Sequence, residues 1–273
     1  MYARPSFTRS ALPDGEVVMR PQCKGGTKNF PVRKKRPAVP HSLCHPYTII
    51  MPVLKACLFD LDGTLIDSLK DISVAVNKML NTFGAPKHRM GEFKELIGDG
   101  MRQLVMRALP EALRTEAFIN AGVRIYERHY LAAWNVNTKV YAGMAEVVAE
   151  LRARGVRTGC ITNKPHHLAH LCCAHFLPAD SFEIVLGQRD AVARKPDPAG
   201  AREAAAALGV ALAECAYVGD SGIDMDFARN AGMHGIGVTW GFRREAELVA
   251  HGAAQIIHRP QDLLALFPPE AGT

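Results

Sequence analysis

The chain has 273 residues, 48% of them hydrophobic, with 33 Lys and Arg, 27 Asp and Glu, and seven Cys. That length excludes a peptide and admits one large globular domain or two smaller ones. A net charge of +6 would ordinarily suggest an anionic partner, yet the first 50 residues hold nine Lys and Arg against only Asp14 and Glu16, which leaves 24 basic and 25 acidic residues for the body.

The basicity therefore belongs to a front segment, and nothing in the body argues for nucleic acid or membrane as a partner. An odd number of cysteines, mostly within apolar runs such as Lys55-Ala56-Cys57-Leu58-Phe59, fits reduced thiols and a cytoplasmic location better than a disulfide framework. No stretch approaches the roughly 18 apolar residues of a membrane span.

Residues 1–52 are rich in Pro and lack a sustained apolar period, so they are expected to form a disordered basic extension. Competing readings are an interaction tail around Arg33-Lys34-Lys35-Arg36, an organelle leader, or a translation start at Met51. The texture changes after Met51. Residues 53–59 read as a buried strand that ends in Asp60-Leu61-Asp62-Gly63.

A helix capped by Asp67-Ser68 is predicted as far as Phe83, with Ile72, Val76, Met79 and Leu80 on one face and Gly84 as its stop. A second helical pattern runs over 111–134, with Leu113, Ala117, Phe118, Ala121 and Ile125 at helical spacing. Between them, Leu96-Ile97-Gly98-Asp99-Gly100 is a loop signal. From Lys139 onward, strands at 156–161, 184–186, 215–218 and 235–238 alternate with helices near 143–154, 165–176, 198–208 and 222–230. Short apolar strands between amphipathic helices predict an α/β fold, a Rossmann-like parallel sheet with helices on both faces. Residues 53–67 and 139–273 make this core, and residues 68–138 form an inserted all-helical cap.

Ligands of open parallel sheets bind beyond the carboxyl ends of the strands. There the chain carries Asp60 and Asp62, Thr162-Asn163-Lys164, Lys195, and Gly219-Asp220-Ser221 followed by Asp224. Several aspartates in one crevice repel unless a hard cation offsets them, and carboxylate oxygens suit Mg²⁺. A Lys and a Thr hydroxyl provide what the free oxygens of a phosphoryl group need. Phosphoryl transfer is the reaction these parts fit. His166 and His170 with nearby Cys172 and Cys173 have a spacing that can bind zinc, but adjacent Cys on a helix diverge, so packed thiols and ordinary histidines are the expected reading.

The stretch Phe59-Asp60-Leu61-Asp62-Gly63-Thr64-Leu65-Ile66-Asp67-Ser68 resembles the first motif of the haloacid-dehalogenase-like superfamily, and Thr162, Lys195 and Gly219-Asp220-Ser221-Gly222-Ile223-Asp224 resemble its other three in order. Ile97-Gly98-Asp99-Gly100, Thr162-Asn163-Lys164-Pro165 and Arg194-Lys195-Pro196-Asp197-Pro198 look most like the bacterial phosphoglycolate phosphatases.

The resemblance implies a Mg²⁺-dependent phosphomonoesterase acting on a small metabolite, most readily 2-phosphoglycolate, with a mobile cap. It implies Asp60 as the nucleophile that becomes an aspartyl-phosphate, and Asp62 as acid and then base. Asp60, the Asp62 carbonyl, Asp220 and Asp224 would serve the metal; Thr162, Asn163 and Lys195 would hold the phosphoryl group. Gly98, Asp99 and Gly100 of the cap are candidates for substrate contact, with Arg102 as a carboxylate partner or an ordinary surface cation. An acid two residues after the nucleophile favours phosphate esters over halides, because a halide leaves without a proton. Another phosphatase or a mutase of a small phosphorylated metabolite, and a phosphoacceptor regulatory domain, remain as alternatives. Monomer and homodimer both stay open.

Overall fold

The structure, a computed structural model, describes residues 7–11, 17–21, 53–190 and 192–269. The chain divides between Val53 and Leu54 into two units. In the first, β1 (Phe7–Ala11) pairs antiparallel with β2 (Val17–Pro21), Phe7 facing Pro21 and Ala11 facing Val17. Composition alone predicts a disordered extension here, although Pro13-Asp14-Gly15 is a turn signal between two β-forming runs. The run Arg33–Arg36, Cys23 and Cys44 lie outside the described residues.

The second unit opens with β3 (Ala56–Phe59), which leads through β4 (Ile66–Asp67) into α1 (Leu69–Thr82), α2 (Phe93–Leu96), α3 (Met101–Ala108) and α4 (Glu116–Leu131). From β5 (Lys139–Val140) the chain alternates through α5 (Met144–Ala153), β6 (Arg157–Pro165), α6 (His166–Phe176), β7 (Ile184–Gln188), α7 (Ala199–Leu208), β8 (Cys215–Gly219), α8 (Gly222–Ala231), β9 (His234–Val238), α9 (Glu245–Ala250) and β10 (Gln255–Ile257). Six of these strands make one parallel sheet in the order β10-β9-β8-β3-β6-β7. The chain winds outward from β3 to β6 and β7, then returns to β8 on the other side, so β3 sits at the reversal of strand order where open sheets bind ligands.

Alternation along β3 explains its central place. Cys57 and Phe59 join the apolar layer under α5 and α6, whereas Ala56 and Leu58 join the layer under α7 and α8. Each of the four is fully buried. The thiols Cys57, Cys160, Cys172, Cys173 and Cys215 are all free and buried. Among the described residues, no helix is long and apolar enough to cross a membrane.

The insert has a core of its own, in which Ile72, Val76, Met79 and Leu80 of α1 pack with Phe93, Val105, Ile119 and Tyr126. It leaves and rejoins the sheet domain through β4 and β5, paired antiparallel with Ile66 opposite Val140 and Asp67 opposite Lys139. The pattern over 111–134 resolves into a 3₁₀ turn, Glu111–Leu113, and α4, because the Thr115 hydroxyl caps the helix by accepting from the Phe118 amide. Strand β10 and helix α9 had no clear sequence signal: three residues and six residues are too short to show a period.

One buried carboxylate ties the two ends of the insert together. Asp71, in the first turn of α1, accepts from the Asn137 amide (2.9 Å) and Nδ2 (2.7 Å), and from the Thr138 amide and Oγ1 (both 2.8 Å). Burial would raise its carboxyl, but the bonds from Asn137 and Thr138 outweigh burial and hold it below the usual carboxylate range. A group depressed in this way contributes stability above its unfolded value of roughly 3.9 and loses it as pH falls through the folded value. Asp71→Ala is therefore expected to cost about 2–3 kcal/mol in urea unfolding at pH 7, since hydrogen bonds to a charged group are worth roughly that much. The difference from the parent should shrink towards pH 3.

Candidate active site

The carboxyl end of β3 is a tight turn that aims two aspartates at one cleft. The amides of Leu65 and Ile66 both donate to the Leu61 carbonyl, and the Gly63 amide donates to the Ile66 carbonyl. Gly63 has φ +91°, which a side chain would strain, and a Cβ there would land in the Asp220 carboxylate. Gly241 approaches Asp220 equally closely from the loop after β9. Asp220 is thereby packed between two stretches of backbone, accepting from the Phe242 amide (2.7 Å) and from Thr64 Oγ1 (3.2 Å).

Asp60, Asp220 and Asp224 each offer an oxygen within 4.8 Å of the others, and all three are buried. Among the described residues, the only cation seated among them is Lys195, whose Nζ donates to Asp60 Oδ1 (2.8 Å), Asp224 Oδ1 (2.7 Å) and the Tyr217 hydroxyl (2.7 Å). Burial pushes the Asp60 carboxyl up to about 6, with Lys195 pulling down and Asp224 and Asp62 adding to the rise. Asp220 is raised well above the usual carboxylate range by burial and by Asp224 and Asp60. For Lys195, burial lowers the value but Asp224 and Asp60 overcome it, so the ammonium stays charged.

Asp62 has separate partners. Its Oδ1 accepts from Ser68 Oγ (2.6 Å), and Lys164 Nζ donates to both of its oxygens at 2.9 Å. Ser68 precedes α1 as expected, but its hydroxyl serves Asp62 and makes no bond to the helix amides.

The cleft is lined by Asp60, Asp62, Thr162, Asn163, Asp220 and Ser221 from the sheet side, and by Gly98 and Gly100 from the insert. Lys195 and Asp224 lie behind Asp60, outside this lining. Asn163 reaches the cleft, yet its side chain is a brace: Oδ1 accepts the Lys195 amide (2.9 Å), while Nδ2 donates to the carbonyls of Lys195 and Gly98 (both 3.1 Å). No amide donor is left for a phosphoryl oxygen, which corrects that expectation for its side chain.

For Arg102 the structure supports the surface-cation reading over the carboxylate partner. Its guanidinium grips Glu116 (2.6 Å) and Asn120 (2.8 Å) on the outer face of the insert, away from the cleft. Asp99 turns its carboxylate to Arg107, and only its carbonyl meets the core, accepting from Arg194. His166 Nδ1 accepts from the Gly187 amide and His170 Nε2 meets the Val185 carbonyl, so backbone engages one ring nitrogen of each.

The sequence places Lys164 at the mouth of the sheet without assigning it a role, and it does not single out Tyr217 or Arg243. Arg243 crosses from core to insert, donating to the Ile97 carbonyl at 3.0 Å. A Lys beside a motif Thr, and a Tyr within an otherwise apolar strand, were the available signals.

The sequence pattern of the family described as haloacid dehalogenase-like hydrolase matches residues 57–238, more than half of the chain. Two bacterial relatives are named phosphoglycolate phosphatase. The plasmid protein of Cupriavidus necator is 34% identical over 223 residues, 81% of this chain and 96% of that one. The protein of Cereibacter sphaeroides is 36% identical over 215 residues, 76% of this chain and 96% of that one. A crystal structure from Lactobacillus delbrueckii subsp. bulgaricus, 29% identical, superposes with a TM-score of 0.75 over 80% of this chain and all of that one. With the strand order, the clustered aspartates and these likenesses together, the chain belongs to the haloacid dehalogenase-like hydrolases, as an enzyme most like the phosphoglycolate phosphatases.

Proposed function

We propose that the protein hydrolyses a small phosphomonoester, foremost 2-phosphoglycolate, through a phosphorylated Asp60. The observation that carries this reading is the pairing of two aspartates two residues apart in different settings: Asp60 against a buried ammonium, and Asp62 held by Ser68 and Lys164 at the same cleft. In the first half-reaction an Asp60 oxygen bonds to phosphorus, the ester P–O bond breaks, and Asp62 delivers a proton to the departing alkoxide. In the second, Asp62 takes a proton from water, whose oxygen attacks the acyl phosphate and frees Asp60 and inorganic phosphate. Lys195 keeps charge on Asp60 tolerable, and Thr162 stands beside the incoming phosphoryl group.

The donor set fits a hard divalent cation such as Mg²⁺: three carboxylates against one ammonium leave an excess of negative charge, and all donors are oxygens. Both Asp224 oxygens are already taken, by Lys195 and by Ser221. Asp60, Asp220 and the Asp62 carbonyl are therefore the contacts we assign, with Asp224 orienting Lys195 and Ser221. Such a cation would draw off charge from the transferring phosphoryl group. The Cupriavidus and Cereibacter relatives, by their names, favour phosphoglycolate as the ester.

Phosphate release from a panel of phosphomonoesters, with and without Mg²⁺, tests the assignment. The expected result is Mg²⁺-dependent turnover led by 2-phosphoglycolate. Rapid turnover of a sugar phosphate with indifference to phosphoglycolate would overturn the choice of substrate; a stable phosphoprotein without turnover would indicate a regulatory phosphoacceptor.

A further inference from the structure

Lys164 lines the cleft with a side chain only 5% exposed. It stands at the end of β6, and its ammonium is wedged between two elements that the cap brings together. On one side are both oxygens of Asp62. On the other is the face of Tyr130 from α4, with the ring centroid 4.7 Å from Nζ. Tyr130 is itself 1% exposed and stacks on Tyr126 one turn earlier, with centroids 5.7 Å apart, so the ring cannot swing aside within the closed cap.

We propose that Lys164 is a positioning residue for Asp62, and that Tyr130 makes its hold depend on the seating of the cap. The inference rests on the reading above, in which Asp62 handles the proton of the leaving group. Two of the three ammonium hydrogens are committed to Asp62, and the remaining side of the charge faces an aromatic ring, an arrangement that strengthens as water is excluded. Ser68 and Lys164 together give Oδ1 two donors and leave Oδ2 with one. Oδ2 is thus the oxygen freer to give and take the proton. With the cap lifted from α6, the ammonium would exchange the ring for water, and its grip on Asp62 would weaken as solvent screens the pair. The cap thereby does more than exclude water: its seating fixes the geometry of the acid.

An ester whose leaving group needs no proton is the discriminating probe. Acetyl phosphate is close to 2-phosphoglycolate in size, and on P–O cleavage it releases acetate, stable as the anion; phosphoglycolate releases an alkoxide that must be protonated. Because kcat/KM reports the step in which the leaving group departs, Lys164→Met is expected to lower it about a hundredfold for 2-phosphoglycolate, or for whichever alkyl phosphate the parent hydrolyses fastest, and less than tenfold for acetyl phosphate. Tyr130→Leu should show the same selectivity at about a tenfold loss, whereas Tyr130→Phe, which keeps the ring, should show neither. A merely structural role would lower both substrates in parallel, and parallel losses in Lys164→Met and Tyr130→Leu overturn the proposal. Should Lys164→Met fail to fold in a thermal melt, the two Tyr130 variants decide by the same ratio. If the parent chain releases phosphate from no ester, the functional reading falls and this one with it; an active parent with an unmoved ratio removes the positioning role alone.

Discussion

Asp60→Asn is expected to reduce phosphate release by roughly 10⁴-fold or more while leaving the fold in place. The reason for the loss is chemical: an amide oxygen is a poor nucleophile towards phosphorus and cannot form the acyl phosphate. The reason the fold survives is electrostatic. Asp60 shares a buried cluster in which three carboxylates face one ammonium, and its carboxyl is raised to about 6. A carboxyl whose folded value lies above its unfolded value of roughly 3.9 opposes folding increasingly as pH rises through that window. Asn cannot ionise, so with a chelator present the variant should melt no lower than the parent at pH 7, and its advantage should vanish near pH 4. Added Mg²⁺ should raise the melting temperature of the parent more than that of the variant. Retained turnover would remove Asp60 from the chemistry.

Lys195→Met should damage both activity and stability. Its side chain is 4% exposed, and its ammonium serves Asp60, Asp224 and the Tyr217 hydroxyl at once. Methionine fills much the same volume but leaves three buried carboxylates without their cation. Breaking a buried pair in this way costs about 3–5 kcal/mol, to be read from urea unfolding in the presence of a chelator. Turnover should fall by about a thousandfold, because the buried charge that balances the Asp60 nucleophile is lost. The double variant Lys195→Met with Asp224→Asn should regain part of the stability and none of the activity, since the second change removes a stranded charge without replacing the first. A Lys195→Met chain as stable as its parent would show that Lys195 does not balance the cluster.

The contrast between these two residues and Arg102 marks how far the chain could be read before its fold was known. Asp60 and Lys195 carry their meaning locally: a strand ends at Phe59, so whatever follows must sit at the mouth of the sheet, and an Arg-Lys-Pro loop between α/β units must open on that same edge. Arg102 had only its neighbourhood to recommend it, a cation two residues beyond a cap loop. Its direction depends on helical phase and on which partner is nearer, and Glu116 and Asn120 of α4 claim it. Asn163 illustrates the same limit inside a motif. Its position was legible, but its two carbonyl partners lie 32 and 65 residues away, and they consume its donors.

By itself the sequence determined the class of fold, the interruption of the sheet domain by a helical insert, and the aspartates that line the cleft, because these follow from apolar period, turn chemistry and the polarity of strand ends. Only the tertiary structure decided who balances whom. Lys164 meets Asp62 across 102 residues, Thr64 meets Asp220 across 156, and Trp240 returns to donate to the Thr64 carbonyl across 176. Pairings of that range leave no periodic trace in the chain, since they arise where independently formed elements converge. The charge balance of a buried site is a property of that convergence.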